Sequence, residues 1–242
     1  VIEEFIDFSS QIISTGDIDP DYIFLKNHKE KFGIDETINL FKKKLLIYNL
    51  ESELLFHTRQ IKLEDIKFGN ERKKNKRHFV EWSRELETLD FRGLMVIYKG
   101  KNYDDFRNYF KTRKGMGDWA SWKAADIMNK VFQIDFVFSD FTFLNAYEYP
   151  LRGLLMIMGK EENTKLYKNK SMFFDDFSQI KEISKKINPS SMFCAHSDIL
   201  TLETCLCKFH SYKHKKYHIG EDLRKVKKIN ENEKLKNYWG LI

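Results

Sequence analysis

Apolar residues recur along this chain mostly at three- and four-residue steps, the mark of helices with one face turned to a core. Ile2, Phe5, Ile6, Ile12 and Ile13 predict a helix over residues 1–14. Thr15-Gly-Asp-Ile-Asp-Pro-Asp21 reads as a turn whose acids serve as caps and dipole partners, with Pro20 suited to a helix start. A helix from Tyr22 to Lys31 follows and stops near Gly33. Asp35 then caps one long helix to about Arg59, with Ile38, Phe41, Leu45 and Leu46 inward. Phe79, Trp82 and Leu86 give the inner face of a helix over His78–Leu89. Leu94-Met-Val-Ile-Tyr98 fits a strand or a buried helical turn, and the helical surroundings favour the turn.

The clearest pattern lies mid-chain. Phe106, Tyr109 and Phe110 mark a helix over Asp104–Thr112, and Ala120, Ala124, Ile127 and Val131 form one stripe of a second helix opening at Asp118. Trp119 and Trp122 fall outside that stripe. Between the helices lies the basic turn Lys111-Thr-Arg-Lys-Gly-Met-Gly117, where glycine permits positive φ and close backbone approach. Phe136–Leu155 is dense in aromatic and apolar residues, Lys160–Lys170 reads as a surface connection, and further helices are expected over Phe173–Ile187 and from Ser197 to His210.

Composition narrows the class. In 242 residues, 42% are hydrophobic and 21 are Phe, ample for a core, while 3 Pro and 11 Gly argue against linker-rich or disordered chain. No apolar run approaches a membrane span. Three cysteines suit a reducing cytosol rather than a disulfide framework, so a cytoplasmic location is expected; the chain is also expected to be a monomer. Basic residues exceed acidic ones by 42 to 36, a net charge of +6 that favours a polyanionic partner. Two basic stretches could touch phosphate. One is Lys67-Phe-Gly-Asn-Glu-Arg-Lys-Lys-Asn-Lys-Arg77, with Lys73, Lys74, Lys76 and Arg77; the other is the hairpin, with Arg113, Lys114 and the amides of Gly115, Met116 and Gly117. Cys194, His196, Cys205, Cys207, His210, His214 and His218 are metal-ligand types but lack the combined Cys-x-x-Cys and His-x3-His pairs of common closed sites, so no metal is expected.

Gly115-Met-Gly-Asp-Trp-Ala120 resembles the hairpin of the helix-hairpin-helix DNA glycosylases. That resemblance implies a two-lobed, predominantly helical fold with a base pocket between the lobes. It also implies a hairpin gripping the DNA backbone, where a monovalent cation can bind, and no other cofactor. A catalytic Asp is implied somewhat over twenty residues after the first glycine, and Asp140 fits, within Asp135-Phe-Val-Phe-Ser-Asp-Phe-Thr142. Trp119 stands where strand-cutting members carry Lys, implying a monofunctional enzyme. More of the chain resembles the alpha-glutamyl/putrescinyl thymine pyrophosphorylases: Gly16-Asp-Ile-Asp-Pro-Asp-Tyr22, Leu46-Ile-Tyr-Asn-Leu50, the block from Gly115 to Asp126, and Leu202-Glu-Thr-Cys-Leu-Cys-Lys208.

The whole chain, 1–242, is therefore expected to be one glycosylase-like domain, with hairpin and acid within 78–150. The favoured activity is hydrolytic excision of a modified, flipped base from double-stranded DNA, as in defence against phage, with Asp140 stabilising charge on the sugar. Tyr48, Asn49, Trp119, Trp122, Phe143, Tyr147, Glu148, Glu203 and Lys208 are candidates to line the base pocket. The alternative is base hypermodification, in which an amine replaces a leaving group on an activated hydroxymethyl pyrimidine. A DNA-binding module without catalysis is the third reading.

Overall fold

The computed structural model describes residues 1–69, 72, 76–144, 147–187 and 198–241. The fold is all-α, with thirteen α-helices and four short 3-10 helices among the described residues and a minimal parallel pairing of β1 (Lys101–Asn102) with β2 (Phe136–Val137). Buried side chains from Phe5 to Leu241 form one continuous hydrophobic cluster.

Helices α1 (Ile2–Ser14) and α2 (Pro20–Phe32) follow the apolar pattern closely, and α2 ends at Gly33 with φ +88. The expected long helix from Asp35 is two. α3 (Ile34–Ile47) starts from Gly33, and it stops because Tyr48 takes the left-handed conformation. Asn49 then starts α4 (Leu50–His57), its side chain accepting the Ser52 N–H at 3.1 Å. Asp35 caps nothing and pairs instead with Arg92 at 2.6 Å. Helices α5 (Phe79–Thr88) and α6 (Phe91–Tyr98) come next, Asp90 capping the second.

The predicted hairpin is α7 (Tyr103–Lys111) and α8 (Asp118–Phe132). α8 is buried on nearly every face, so Trp122, placed off the apolar stripe by the sequence pattern, is core all the same. α9 (Asp140–Leu144) is short. Its capping group is Ser139 rather than Asp140: the Thr142 N–H donates to Ser139 Oγ at 3.2 Å, and the Ser139 N–H donates to Thr142 Oγ1 at 3.1 Å.

α10 (Glu148–Ile157) lies along α12 (Asp198–Lys213) so closely that a Cβ at Gly153 would sit 2.3 Å from the Leu206 carbonyl. α11 (Lys170–Ser184) and α13 (Glu221–Lys227) complete the set. No helix among the described residues is long and apolar enough to cross a membrane.

Candidate functional site

The hairpin carries its charge in an unforeseen way. Asp118 is the first residue of α8 and not its N-cap, a place taken by Gly117. Its carboxylate sits instead between Arg107 at 2.5 Å and Lys111 at 2.7 Å, lowering its pKa against the opposing effect of partial burial. Gly115 has φ +76, and a Cβ there would lie 2.4 Å from the Trp82 ring, so glycine is required twice over. Met116 is buried, and Lys114 pairs with Glu81 at 2.5 Å. Arg113 lies over the Tyr109 ring at 4.8 Å. Gly117 is exposed, with nothing among the described residues within 4 Å of a Cβ built there. One side of the turn is thus sealed by Trp82 and Met116. The other leaves Gly117 and the first-turn amides of α8 open to an anion.

The basic segment after residue 66 is fastened to the same region. Gly69 N–H donates to the Ile47 carbonyl at 2.9 Å, and Lys67 N–H to Ser52 Oγ at 3.1 Å. Arg72 donates to the Gly115 carbonyl at 3.4 Å and places its guanidinium 4.5 Å over the Trp119 ring. Trp119 meets Tyr48 edge-on at 4.7 Å. Tyr48 and Trp119, both partly exposed, therefore lie where the two basic segments converge. Lys76 and Arg77 lie on that segment; Lys73 and Lys74 lie outside the described residues.

Beneath this pair is a network of buried charge. Lys44, fully buried, holds its ammonium 4.6 Å over the Tyr48 ring, pairs with Asp21 and stands 3.9 Å from Glu53. Across the core, Asp126 accepts from Tyr22 at 2.9 Å and pairs with Lys130 at 3.0 Å and Lys123 at 3.4 Å. Lys130 reaches Asp19 at 2.8 Å, and Lys123 reaches Glu203 at 3.5 Å. Glu203 also accepts from the Tyr147 hydroxyl.

Physical chemistry sorts these groups. Burial opposes charge on Lys123, but Glu203 and Asp126 outweigh it and raise its pKa, so it is a fixed cation. Burial likewise opposes charge on Asp126, and Lys130 and Lys123 outweigh it and lower its pKa. The Cys207 thiol is pushed up to about 12 by burial and by Glu203, and is no thiolate nucleophile.

Glu53 differs. It is wholly buried, neither oxygen makes a hydrogen bond of normal geometry among the described residues, and burial, with Asp21 adding to it, pushes its carboxyl up to about 7 against the pull of Lys44 and the Asn49 backbone. A carboxyl that gains and loses its proton near neutrality is what proton transfer requires.

Other predicted residues fall elsewhere. Asp140 makes a bidentate ion pair with Lys181 of α11 at 2.9 and 3.0 Å, both side chains more than a third exposed. Phe143 and Trp122 are fully buried core residues whose rings meet edge-on at 6.4 Å, so neither offers a free face to a base. Glu148 is exposed and paired with Arg152 at 2.6 Å. Asn49 is a helix cap. Lys208 bonds the Asp17 carbonyl at 2.5 Å and Asp222 at 2.7 Å, fastening the C-terminal segment. Asp17 accepts the Tyr217 hydroxyl and the Gly220 and Leu223 amides, while Asp19 and Asp21 join the network; none of the three acids caps α2 through its side chain.

The sequence reading missed Lys44, Glu53, Lys123, Asp126 and Lys130. A signal was present: Ala120, Lys123, Ile127 and Lys130 share one face at steps of three and four, so two lysines sit on an apolar stripe. An ionisable residue on such a stripe needs a buried partner. All four sequence blocks from Gly16, Leu46, Gly115 and Leu202 supply members of the network or anchor it.

Residues 47–218 match the family model described as amino acid:DNA transferase. No curated protein matches the chain.

Proposed function

The chain belongs to the amino acid:DNA transferase family, and from that premise we propose that it joins the amine of an amino acid to an activated pyrimidine in DNA, with the buried network around Glu53 as the reaction centre. The family match backs base hypermodification, not the base excision first favoured. It supports DNA as the macromolecular substrate and group transfer as the reaction class.

In this reading the neutral amine attacks the exocyclic methylene carbon of the activated base. The new C–N bond forms as the C–O bond to a phosphate-type leaving group breaks, and that oxygen keeps the electron pair. The proton shed by nitrogen passes to Glu53, whose carboxyl is poised to take it. The observation that carries the reading is a charge imbalance. Among the described residues, Asp19, Asp21, Glu53, Asp126 and Glu203 face Lys44, Lys123 and Lys130, so five carboxyl groups meet three amines, and all but Asp21 are largely shielded from water. Buried carboxylates in excess favour an incoming ammonium group.

Tyr48 and Trp119 are the partly exposed aromatic pair above the network, and a flipped base that displaces the Arg72 guanidinium from the Trp119 ring would regain stacking there. The open side of the Gly115–Gly117 turn and the basic residues at Lys76, Arg77, Lys111 and Arg113 hold flanking phosphates. The test is to incubate the protein with duplex DNA carrying a pyrophosphorylated 5-hydroxymethyl pyrimidine and isotopically labelled amino acids, then to digest and weigh the nucleosides. Incorporation of label into a nucleoside supports the proposal; free base with abasic sites refutes it.

A further inference from the structure

The far end of α12 carries a second cluster of ligating side chains, away from the network. His210 and His214 stand at His-x3-His spacing, which brings both rings to one side of the helix, 4.5 Å apart. Glu162, in the loop after α10, reaches across to both. Its Oε2 lies 2.8 Å from His210 Nε2 and 3.0 Å from His214 Nε2, and its Oε1 lies 3.1 Å from the latter. The three ligand atoms lie within 4.8 Å of one another.

We propose that Glu162, His210 and His214 form a binding site for a divalent transition-metal ion such as Zn2+. The donor set, two imidazoles and one carboxylate, suits late first-row ions, and three protein ligands leave a position for water. Zinc bonds nitrogen and oxygen at about 2.0–2.2 Å, which in a tetrahedron spaces the donors roughly 3.3 Å apart. The Glu162 carboxylate therefore needs to move from each imidazole nitrogen by only a few tenths of an ångström.

Local charge permits it. The neighbouring cations are engaged elsewhere, Arg152 with Glu148 at 2.6 Å and Lys213 with Glu4 at 2.8 Å. Access is open, since the Glu162 and His214 side chains are 29% and 41% exposed while His210, beneath Tyr149, is 4% exposed. His210 Nδ1 has no hydrogen-bond partner among the described residues. Without the outer acceptor that usually orients a ligating histidine, affinity is expected to be moderate.

Such an ion would pin the loop after α10 to α12 at the end of a polar stripe, Glu203, Cys207, His210 and His214, that begins in the network. The site stands on its own geometry and does not depend on the transferase reading. Tag-free protein stripped by chelator is titrated with Zn2+ by calorimetry, and with Co2+ by visible absorption. One saturable equivalent is expected, with ligand-field bands of a four- or five-coordinate Co2+ ion. His214→Ala and Glu162→Gln, both at partly exposed positions, should each weaken binding at least ~10-fold while leaving the thermal melt of metal-free protein cooperative. Absence of a saturable equivalent, or binding unchanged in either variant, overturns the proposal.

Discussion

Replacing Glu53 with Gln should separate stability from activity. The carboxyl titrates at about 7 in the folded chain against an ordinary value of 4.5, because burial penalises its charge more than Lys44 relieves it. The protonated form is therefore favoured by folding. Its contribution to stability is fully present below 4.5 and lost as pH rises through 7. At 1.36 kcal/mol per unit of pKa difference, the two values imply a loss on the order of 2–3 kcal/mol between about pH 5 and pH 8. Glutamine has nearly the same shape and cannot ionise. Glu53→Gln should lose that portion of the pH dependence and be more stable than the parent at pH 8, while amine transfer falls steeply. The assay is urea unfolding of both proteins at the two pH values, read as a difference of differences so that other titrating groups cancel. If parent and variant lose stability in parallel between these pH values, Glu53 does not carry the buried, nearly neutral carboxyl on which the reasoning rests.

Other outcomes follow from the packing. Gly153→Ala drives a methyl to 2.3 Å from the Leu206 carbonyl and should destabilise by about 1–3 kcal/mol in chemical unfolding. Gly117→Ala meets nothing among the described residues but puts a poor residue at an N-cap, so it should cost about 0.5–1 kcal/mol of stability while weakening DNA binding in a filter or anisotropy assay. Asn49→Ala removes the α4 cap, costing about 1 kcal/mol, and by loosening the turn that seats Glu53 should lower transfer as well. Charge reversal at Arg113 and Lys111 should weaken binding to duplexes of any sequence and flatten the salt dependence of affinity by roughly 0.9 for each phosphate no longer neutralised.

How far the sequence reached depended on the range of the interaction. Helices α1, α2, α5, α7 and α8 were legible because apolar spacing is local, and so were Gly115 and the basic turn. The break at Tyr48 was not, since nothing in Leu46-Ile-Tyr-Asn-Leu50 forbids a continuous helix. Only the left-handed residue and the Asn49 cap, held against Gly69, divide it. The two stripe lysines hinted at the network, but its pairings were illegible for a different reason. Tyr22 meets Asp126 and Lys123 meets Glu203 across the whole core, and no spacing rule encodes such pairs. Trp122 and Phe143 could not be told from base-stacking aromatics by type, and burial alone assigns them to the core. Tyr48, Trp119, Tyr147 and Glu203 stood out in the sequence and do come together with the network, but as parts of a charge system that the Asp140 reading did not foresee.

The central claim is that transfer takes place at the Glu53 network and not at the Asp140–Lys181 pair. It is tested most directly by measuring labelled amino acid transferred to activated DNA by the parent, Glu53→Gln and Asp140→Asn proteins at equal concentration. The account predicts that Glu53→Gln loses at least ~100-fold in rate, within the range of a lost general base, while Asp140→Asn stays within a few-fold of the parent. Full activity in Glu53→Gln together with collapse in Asp140→Asn would contradict it.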